Sequence, residues 1–211
     1  MNTTSSSYGR LTAVLIAVWF ILAFSASALN LFTPNSDLPP IALGLAAVIP
    51  VLIFLAWYAA SGEFRQFALN LDARILTFVQ AWRIAGYTFL ALASAGLLPL
   101  FFALPAGWGD FAIGLTAPLV ALKLTDGNRR SSFIFWQILG MFDLVLAVSL
   151  GATARLISPH GIATAMMAVL PMSMIPAFAV PLFFILHIIC IAQARQWVTT
   201  AAPVASQAVT R

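Results

Sequence analysis

The sequence predicts an all-α integral membrane protein, a bundle of six transmembrane helices in a single domain. Two observations carry this prediction. Of the 211 residues, 62% are hydrophobic and only 8% are charged, whereas a soluble domain has about 25% charged residues. The apolar residues also form long blocks, and roughly 20 apolar residues are what an α-helix needs to cross the hydrocarbon of a bilayer.

Six blocks of this length are separated by polar or Pro/Gly-rich segments. They define the predicted spans 1 to 6, at residues 11–32, 40–60, 75–96, 104–124, 133–151 and 175–194. Together the spans form one membrane domain, residues 11–196. The N-terminal residues 1–10 and the tail, residues 197–211, are polar and are predicted to be disordered.

Span 1 also has the features of a secretory signal peptide. Arg10 precedes its apolar run, and the small residues SASA (25–28) follow it. The apolar run is long enough to remain as a membrane helix, so we predict six spans. Cleavage of a signal peptide is the alternative, and it would leave five spans in the same orientation.

The basic residues alternate from loop to loop along the chain. Eight of the ten Lys and Arg residues lie on one side of the predicted bundle, Arg155 lies on the other, and Arg83 lies within span 3. Because cytoplasmic loops carry the excess of Lys and Arg, both termini are predicted to be cytoplasmic. The charges are scattered, which argues against nucleic-acid binding. The expected surroundings are the lipid bilayer of a bacterial cytoplasmic membrane.

The connection before span 6 is long and contains prolines at 171, 176 and 181. We predict that residues 162–170 form a short helix on the outer surface, followed by span 6. A single long, kinked helix is the alternative.

Four ionisable side chains fall within spans: Arg83, Asp110, Asp143 and His187. Such groups are costly in hydrocarbon and usually face the protein interior in pairs. Arg83, Asp143 and His187 lie about 12–15 Å from the cytoplasmic ends of their spans, so Arg83 is predicted to pair with Asp143, and His187 can join them. Asp110 lies further out and leans away. It is expected either to cap the outer end of span 4 or to line the mouth of a cavity.

Helical spacing supports an interior position for these groups. On span 3, Gln80, Arg83 and Tyr87 share one stripe, and on span 5 Asp143 shares a stripe with Gln137 and Gly140. The candidate site for a ligand or proton therefore contains Arg83, Asp143 and His187, with Gln80, Tyr87 and Asp110 beside them. The alternative is that the charged pair only holds spans 3 and 5 together.

Several chemistries are disfavoured by the residues present. The one lysine, Lys123, lies at a span end, where it cannot hold retinal as a Schiff base. His160 and His187 are too far apart to ligate one haem, and no nucleotide-binding or hydrolase motif occurs. The single cysteine, Cys190, is expected to be an inert packing residue. We expect no cofactor and no metal.

Three functions remain open. The first is a small-molecule or proton-coupled transporter, working as a homo-oligomer. The second is an intramembrane enzyme that acts on a lipid or isoprenoid substrate, with Asp143 or His187 as the acid or base. The third is a non-catalytic membrane subunit whose polar cluster is structural. The loops are too short for a soluble catalytic domain.

Overall fold

A computed structural model describes residues 3–33, 40–157 and 164–197. These residues are helical with no strand among them, which confirms the all-α prediction. Six of the helices are long and apolar enough to cross a membrane, and the names span 1 to span 6 are kept for them. They are Ser7–Ala28, Ile41–Ala60, Ala73–Ser94, Leu100–Lys123, Gly127–Ala154 and Ile175–Ala194.

The two ends of the bundle differ in charge. At one end the short helix Gly62–Leu69 joins spans 2 and 3, and Gln193 Nε2 of span 6 donates hydrogen bonds to its last carbonyl oxygens, at Ala68 and Leu69. Arg74 Nε donates to Thr125 Oγ1 across the same end. We call it the basic end, because it gathers Arg10, Arg65, Arg74, Lys123, Arg129, Arg130 and Arg195.

Span 1 belongs to a helix that runs from Thr3 to Ala28, so residues 3–10, predicted to be disordered, are helical. Tyr8 explains the early start, since its hydroxyl donates to Glu63 and its ring stacks on Phe67. The helix also ends earlier than predicted. Asn30 adopts a left-handed conformation, and the N–H of Leu31 bonds back to the Ala26 carbonyl, which is a Schellman ending.

Span 4 begins at Leu100, four residues before the predicted start. Pro99 directly precedes the helix, and its carbonyl oxygen accepts the bond from the Ala103 N–H. Pro105, Gly107 and Gly109 are therefore inside the helix. Asp110 lies near the middle of this 24-residue helix, so the prediction that it caps the outer end of span 4 is wrong.

Span 3 is not a continuous α-helix. Two α-helical segments, Ala73–Val79 and Tyr87–Ser94, flank a 3₁₀ segment, Gln80–Gly86. Runs of 3₁₀ helix longer than three or four residues are uncommon, because side chains three apart are eclipsed and the hydrogen bonds are poorer. Here the eclipsing places Gln80, Arg83 and Gly86 on one buried face.

Span 6 starts with a π-helical segment, Ile175–Ala179, before the α-helix Val180–Ala194. Pro181 lacks the N–H that would bond to the Ala177 carbonyl, which breaks the α-helical ladder at this point. The N–H of Val180 bonds to the carbonyl of Ile175, five residues earlier, whereas an α-helical bond would reach back four residues. The proline thus accounts for the irregular start of the span.

The connection before span 6 differs from the predicted surface helix. Of the predicted residues 162–170, those from Thr164 onward are described, and they form a single 3₁₀ turn, Ala165–Ala168. Two of its four residues, Met167 and Ala168, are buried, and Met167 packs into an apolar core together with Met172. The prediction of an outer interfacial helix is therefore wrong over these residues. The predicted disordered tail lies, beyond Trp197, outside the described residues.

Candidate functional site

Arg83 is the centre of a polar cluster in the middle of the bundle, and only 2% of its surface is exposed. Its Nε donates to Asp110 Oδ1 of span 4 at 2.7 Å, and its Nη2 donates to Asp143 Oδ2 of span 5. Its Nη1 donates to the carbonyl oxygen of Gly140 at 3.2 Å and lies 3.1 Å from His187 Nε2 of span 6. One guanidinium therefore connects four of the six spans.

The hydrogen bonds of His187 define its tautomer. A guanidinium nitrogen can only donate, so His187 Nε2 accepts from Arg83. The hydrogen is then on Nδ1, which donates to Gln137 Oε1. Gln137 Nε2 in turn donates to Thr77 Oγ1 at 3.2 Å. His187 is fully buried and neutral in this arrangement, and both of its ring nitrogens are occupied.

Glycines provide the space that these side chains occupy. A Cβ atom at Gly86 would collide with the side chain of Asp110, and one at Gly140 would collide with the imidazole ring of His187. A Cβ atom at Gly109 would collide with the Asp143 carboxylate, and one at Gly114 would collide with the backbone of the 3₁₀ segment. Small residues of this kind allow helices to pack closely in membranes. The glycines of spans 3, 4 and 5 therefore form a cradle for the charged groups.

The cluster carries more negative than positive formal charge. Two carboxylates, Asp110 and Asp143, face the one guanidinium of Arg83, and His187 is neutral. With both carboxylates ionised, one negative charge would be left in an apolar bundle, where an uncompensated charge costs several kcal/mol. A proton or a cationic group can remove this excess.

Two cavities meet at the cluster. The first, which we call the span 2 cavity, has a volume of about 80 Å³. Pro40, Phe102 and Gly151 line it, and Asp110 is its charged residue. The span 3–6 groove, about 430 Å³, runs between spans 3 and 6 beside Arg83 and Asp110. Both are otherwise lined almost entirely by apolar side chains. They share the five residues Phe89, Asp110, Leu144, Ile175 and Val180.

Asp110 was predicted to lean away from the other charged residues, and that prediction is wrong. Span 3 approaches span 4 closely because Gly86 and Gly114 lack side chains. The arginine also offers five N–H donors in a planar fork, enough for two carboxylates at once. A prediction that gave Arg83 one carboxylate, Asp143, with His187 beside the pair, could not anticipate this sharing.

Tyr87 does not join the cluster. Its side chain is 58% exposed on the apolar surface of the bundle. An α-helical period would place it below Arg83, but the 3₁₀ period puts Gly86 there instead. Gln80 is buried one 3₁₀ turn from Arg83, and its Nε2 donates to the Phe183 carbonyl of span 6, not to the cluster.

Three residues outside the predicted site complete the arrangement. Gln137 and Gly140 contact His187 and Arg83, and both share the stripe of Asp143 on span 5, a signal that the sequence did contain. Thr77 had no comparable signal, because an isolated threonine is common in apolar helices. Its hydroxyl lies between Gln137 and Cys190, 3.8 Å from the sulfur.

Among the described residues, no three His, Cys, Asp or Glu side chains are arranged to hold a metal ion. No curated protein and no solved structure matches the chain. A family model, described as Domain of unknown function (DUF8737), matches residues 39–195. The match covers about three quarters of the chain, including every residue of the polar cluster and excluding span 1. The chain therefore belongs to the DUF8737 family.

Proposed function

We propose that the chain is a multi-pass membrane protein with its basic end in the cytoplasm, and that it is a proton-coupled small-molecule transporter. One observation carries the proposal. An interior arginine is shared by two carboxylates, with one negative charge in excess, where two cavities meet. A carrier needs such a group, because it must bind and release charge within the membrane.

A purely structural role fits this arrangement less well. A lock between spans 3 and 5 needs only Arg83 and Asp143. A second buried carboxylate adds a desolvation cost without a second positive charge to balance it. Gly86, which lies opposite Asp110, leaves room for this carboxylate to line the span 3–6 groove. Two irregular segments, Gln80–Gly86 and Ile175–Ala179, border the groove, and such segments often mark hinges.

An enzyme that uses His187 as its acid or base is also less well supported. Both ring nitrogens of His187 are engaged, one by Arg83 and one by Gln137. A general base needs a free lone pair within reach of the substrate. His187 lines neither cavity, whereas Asp110 lines both. The histidine therefore fits a positioning role, in which it holds the guanidinium in place.

The transporter proposal is tested by reconstitution. The protein is placed in liposomes that contain a pH-sensitive dye, and amines, carboxylic acids and sugars are added outside in turn. We expect at least one class to change the internal pH, beyond the change in protein-free liposomes, with wild type but not with Asp110→Asn. Asp72→Asn makes the same chemical change at an exposed helix cap that asparagine can also form, and it should behave as wild type.

Two outcomes would contradict the proposal. One is a folded wild-type protein that responds to no class. The other is a response that Asp110→Asn leaves unchanged.

A further inference from the structure

The span 3–6 groove opens sideways, towards the surface that faces hydrocarbon. Trp82 lies on its rim and is 76% exposed, while Phe178 and Leu182 of span 6 are partly exposed across from it. The groove lies beside Arg83, close to the middle of span 3. A ligand that is dissolved in the membrane can therefore enter without passing through either end of the bundle.

The cluster presents a negatively charged group, the Asp110 carboxylate, to such a ligand. Four N–H groups of Arg83 already donate to Asp110, Asp143, Gly140 and His187, and its side chain is only 1% exposed. The Asp110 side chain is 13% exposed and lines both cavities. Its Oδ1 accepts from Arg83, and no donor from the described residues reaches its Oδ2.

The dimensions suit a small organic molecule. A groove of about 430 Å³ lies within the usual range of roughly 300–1,000 Å³ for ligand sites. Its walls are apolar apart from Arg83, whose N–H groups are already engaged, and Asp110. The matching ligand has an apolar body and one positively charged head that can donate a hydrogen bond.

We propose that the groove binds a membrane-dissolved amine, an apolar body with a single ammonium group, in exchange for one proton. The inference rests on the proposed proton-coupled function and names its substrate class. Before binding, a proton neutralises the excess charge of the two carboxylates. The ammonium group then takes the place of that proton beside Asp110, the proton leaves to water, and the net charge of the site stays at zero in both states.

The probe is radiolabelled 4-phenylbutylamine, whose binding is measured by equilibrium dialysis with the protein in nanodiscs. Empty nanodiscs measure and remove partition into lipid. The neutral 4-phenylbutanol and the anionic 4-phenylbutyrate have similar apolar bodies and serve as competitors. We expect the wild type to bind the amine at least tenfold more tightly than either competitor. Asp110→Asn should lose this preference.

A second variant keeps the test informative if Asp110→Asn folds poorly. Val180 lines both cavities, and Val180→Phe should weaken the amine and the alcohol alike by filling the groove. Equal affinity of the wild type for amine and alcohol, preference for the carboxylate, or no binding to folded protein would each overturn the inference.

Proton release separates the inference from the transporter proposal. In weakly buffered solution, a pH dye should report about one proton released for each amine bound. Amine binding without proton release keeps the cationic site but contradicts proton coupling. Failure of all three probes to bind, while another compound still drives pH changes in liposomes, overturns only the identity of the substrate.

Discussion

A single arginine organises this protein at the residue scale. The planar guanidinium of Arg83 reaches two carboxylates, a backbone carbonyl and an imidazole in four directions. A lysine would offer a point charge on a flexible stem and could not hold this geometry. His187 Nδ1 donates to Gln137, and Gln137 donates to Thr77, so the imidazole ring is fixed in place. The ring in turn holds the guanidinium on the side away from the carboxylates. Arg83, whose charge is costly to bury, thus makes hydrogen bonds to four partners.

Gly140→Ala tests the space that this arrangement requires. The new methyl group would meet the His187 ring at less than 3.0 Å, and the ring is fixed by two hydrogen bonds. We expect a loss of about 2 kcal/mol or more in the free energy of unfolding, in the range of overpacked cores. Gly44→Ala is the control, since no atom lies within 4 Å of its new Cβ. It should be neutral or stabilising by up to about 1 kcal/mol.

Chemical denaturation in detergent micelles measures both variants. Equal stability of Gly140→Ala and Gly44→Ala would show that the imidazole is free to move away, contrary to the tight cradle seen here.

The residue identities of the cluster were largely predictable from the sequence, but the partners of each residue were only partly so. Burial cost identifies Arg83, Asp143 and His187 as interior groups wherever they occur in an apolar span. The contact with Asp110 depends on how closely spans 3 and 4 approach. That distance is set by glycines on two different helices, and no single-helix pattern encodes it.

At the scale of elements, spans 3 and 6 depart from the α-helix where they border the groove. The π-helical start of span 6 follows from Pro181, and a proline is visible in the sequence. The 3₁₀ segment of span 3, Gln80–Gly86, has no proline, and its one glycine, Gly86, is its last residue. Its cause is tertiary, since it packs against span 4 at Gly114. The sequence could therefore predict the bend of span 6 but not the changed period of span 3, and Tyr87 was misplaced for that reason.

Gly114→Ala should separate spans 3 and 4. Its methyl group would meet the backbone of Ile84, which cannot rotate away as a side chain can. We expect a clear drop in melting temperature and loss of the Arg83–Asp110 contact. Gly151→Ala is the matched control on span 5, because its nearest neighbour is the Phe102 ring at an ordinary 3.5 Å. A Gly114→Ala protein as stable as Gly151→Ala would contradict the close packing of the 3₁₀ segment.

For the whole molecule, the charge asymmetry between the two ends predicts its orientation. Seven basic residues occupy the basic end of the described chain, whereas Arg155 lies near the opposite end of span 5. From the positive-inside rule we predict that the basic end lies in the cytoplasm. The alternation of charge was evident in the sequence. The hydrogen bonds from Arg74 to Thr125 and from Gln193 to Ala68 agree with it, because they bring these parts of the chain together at the basic end.

Cysteine labelling tests this orientation. The one native cysteine, Cys190, is buried, so it should contribute little background. Asn128→Cys places an exposed thiol at the basic end, and Ala95→Cys places one at the opposite end. In intact cells a membrane-impermeant maleimide should label Ala95→Cys, and it should label Asn128→Cys only after permeabilisation. Labelling of Asn128→Cys in intact cells would reverse the proposed topology.

The shared guanidinium, with one carboxylate in excess, is the central claim, and a double-mutant cycle tests it most directly. Stability is measured for wild type, Asp110→Asn, Asp143→Asn and the double variant. Each single change leaves Arg83 one carboxylate, so each should cost no more than about 1 kcal/mol. The double change leaves a buried, unpaired arginine and should cost about 3–5 kcal/mol, far more than the sum. A double variant whose loss equals the sum of the two single losses would contradict the claim that the carboxylates share one arginine.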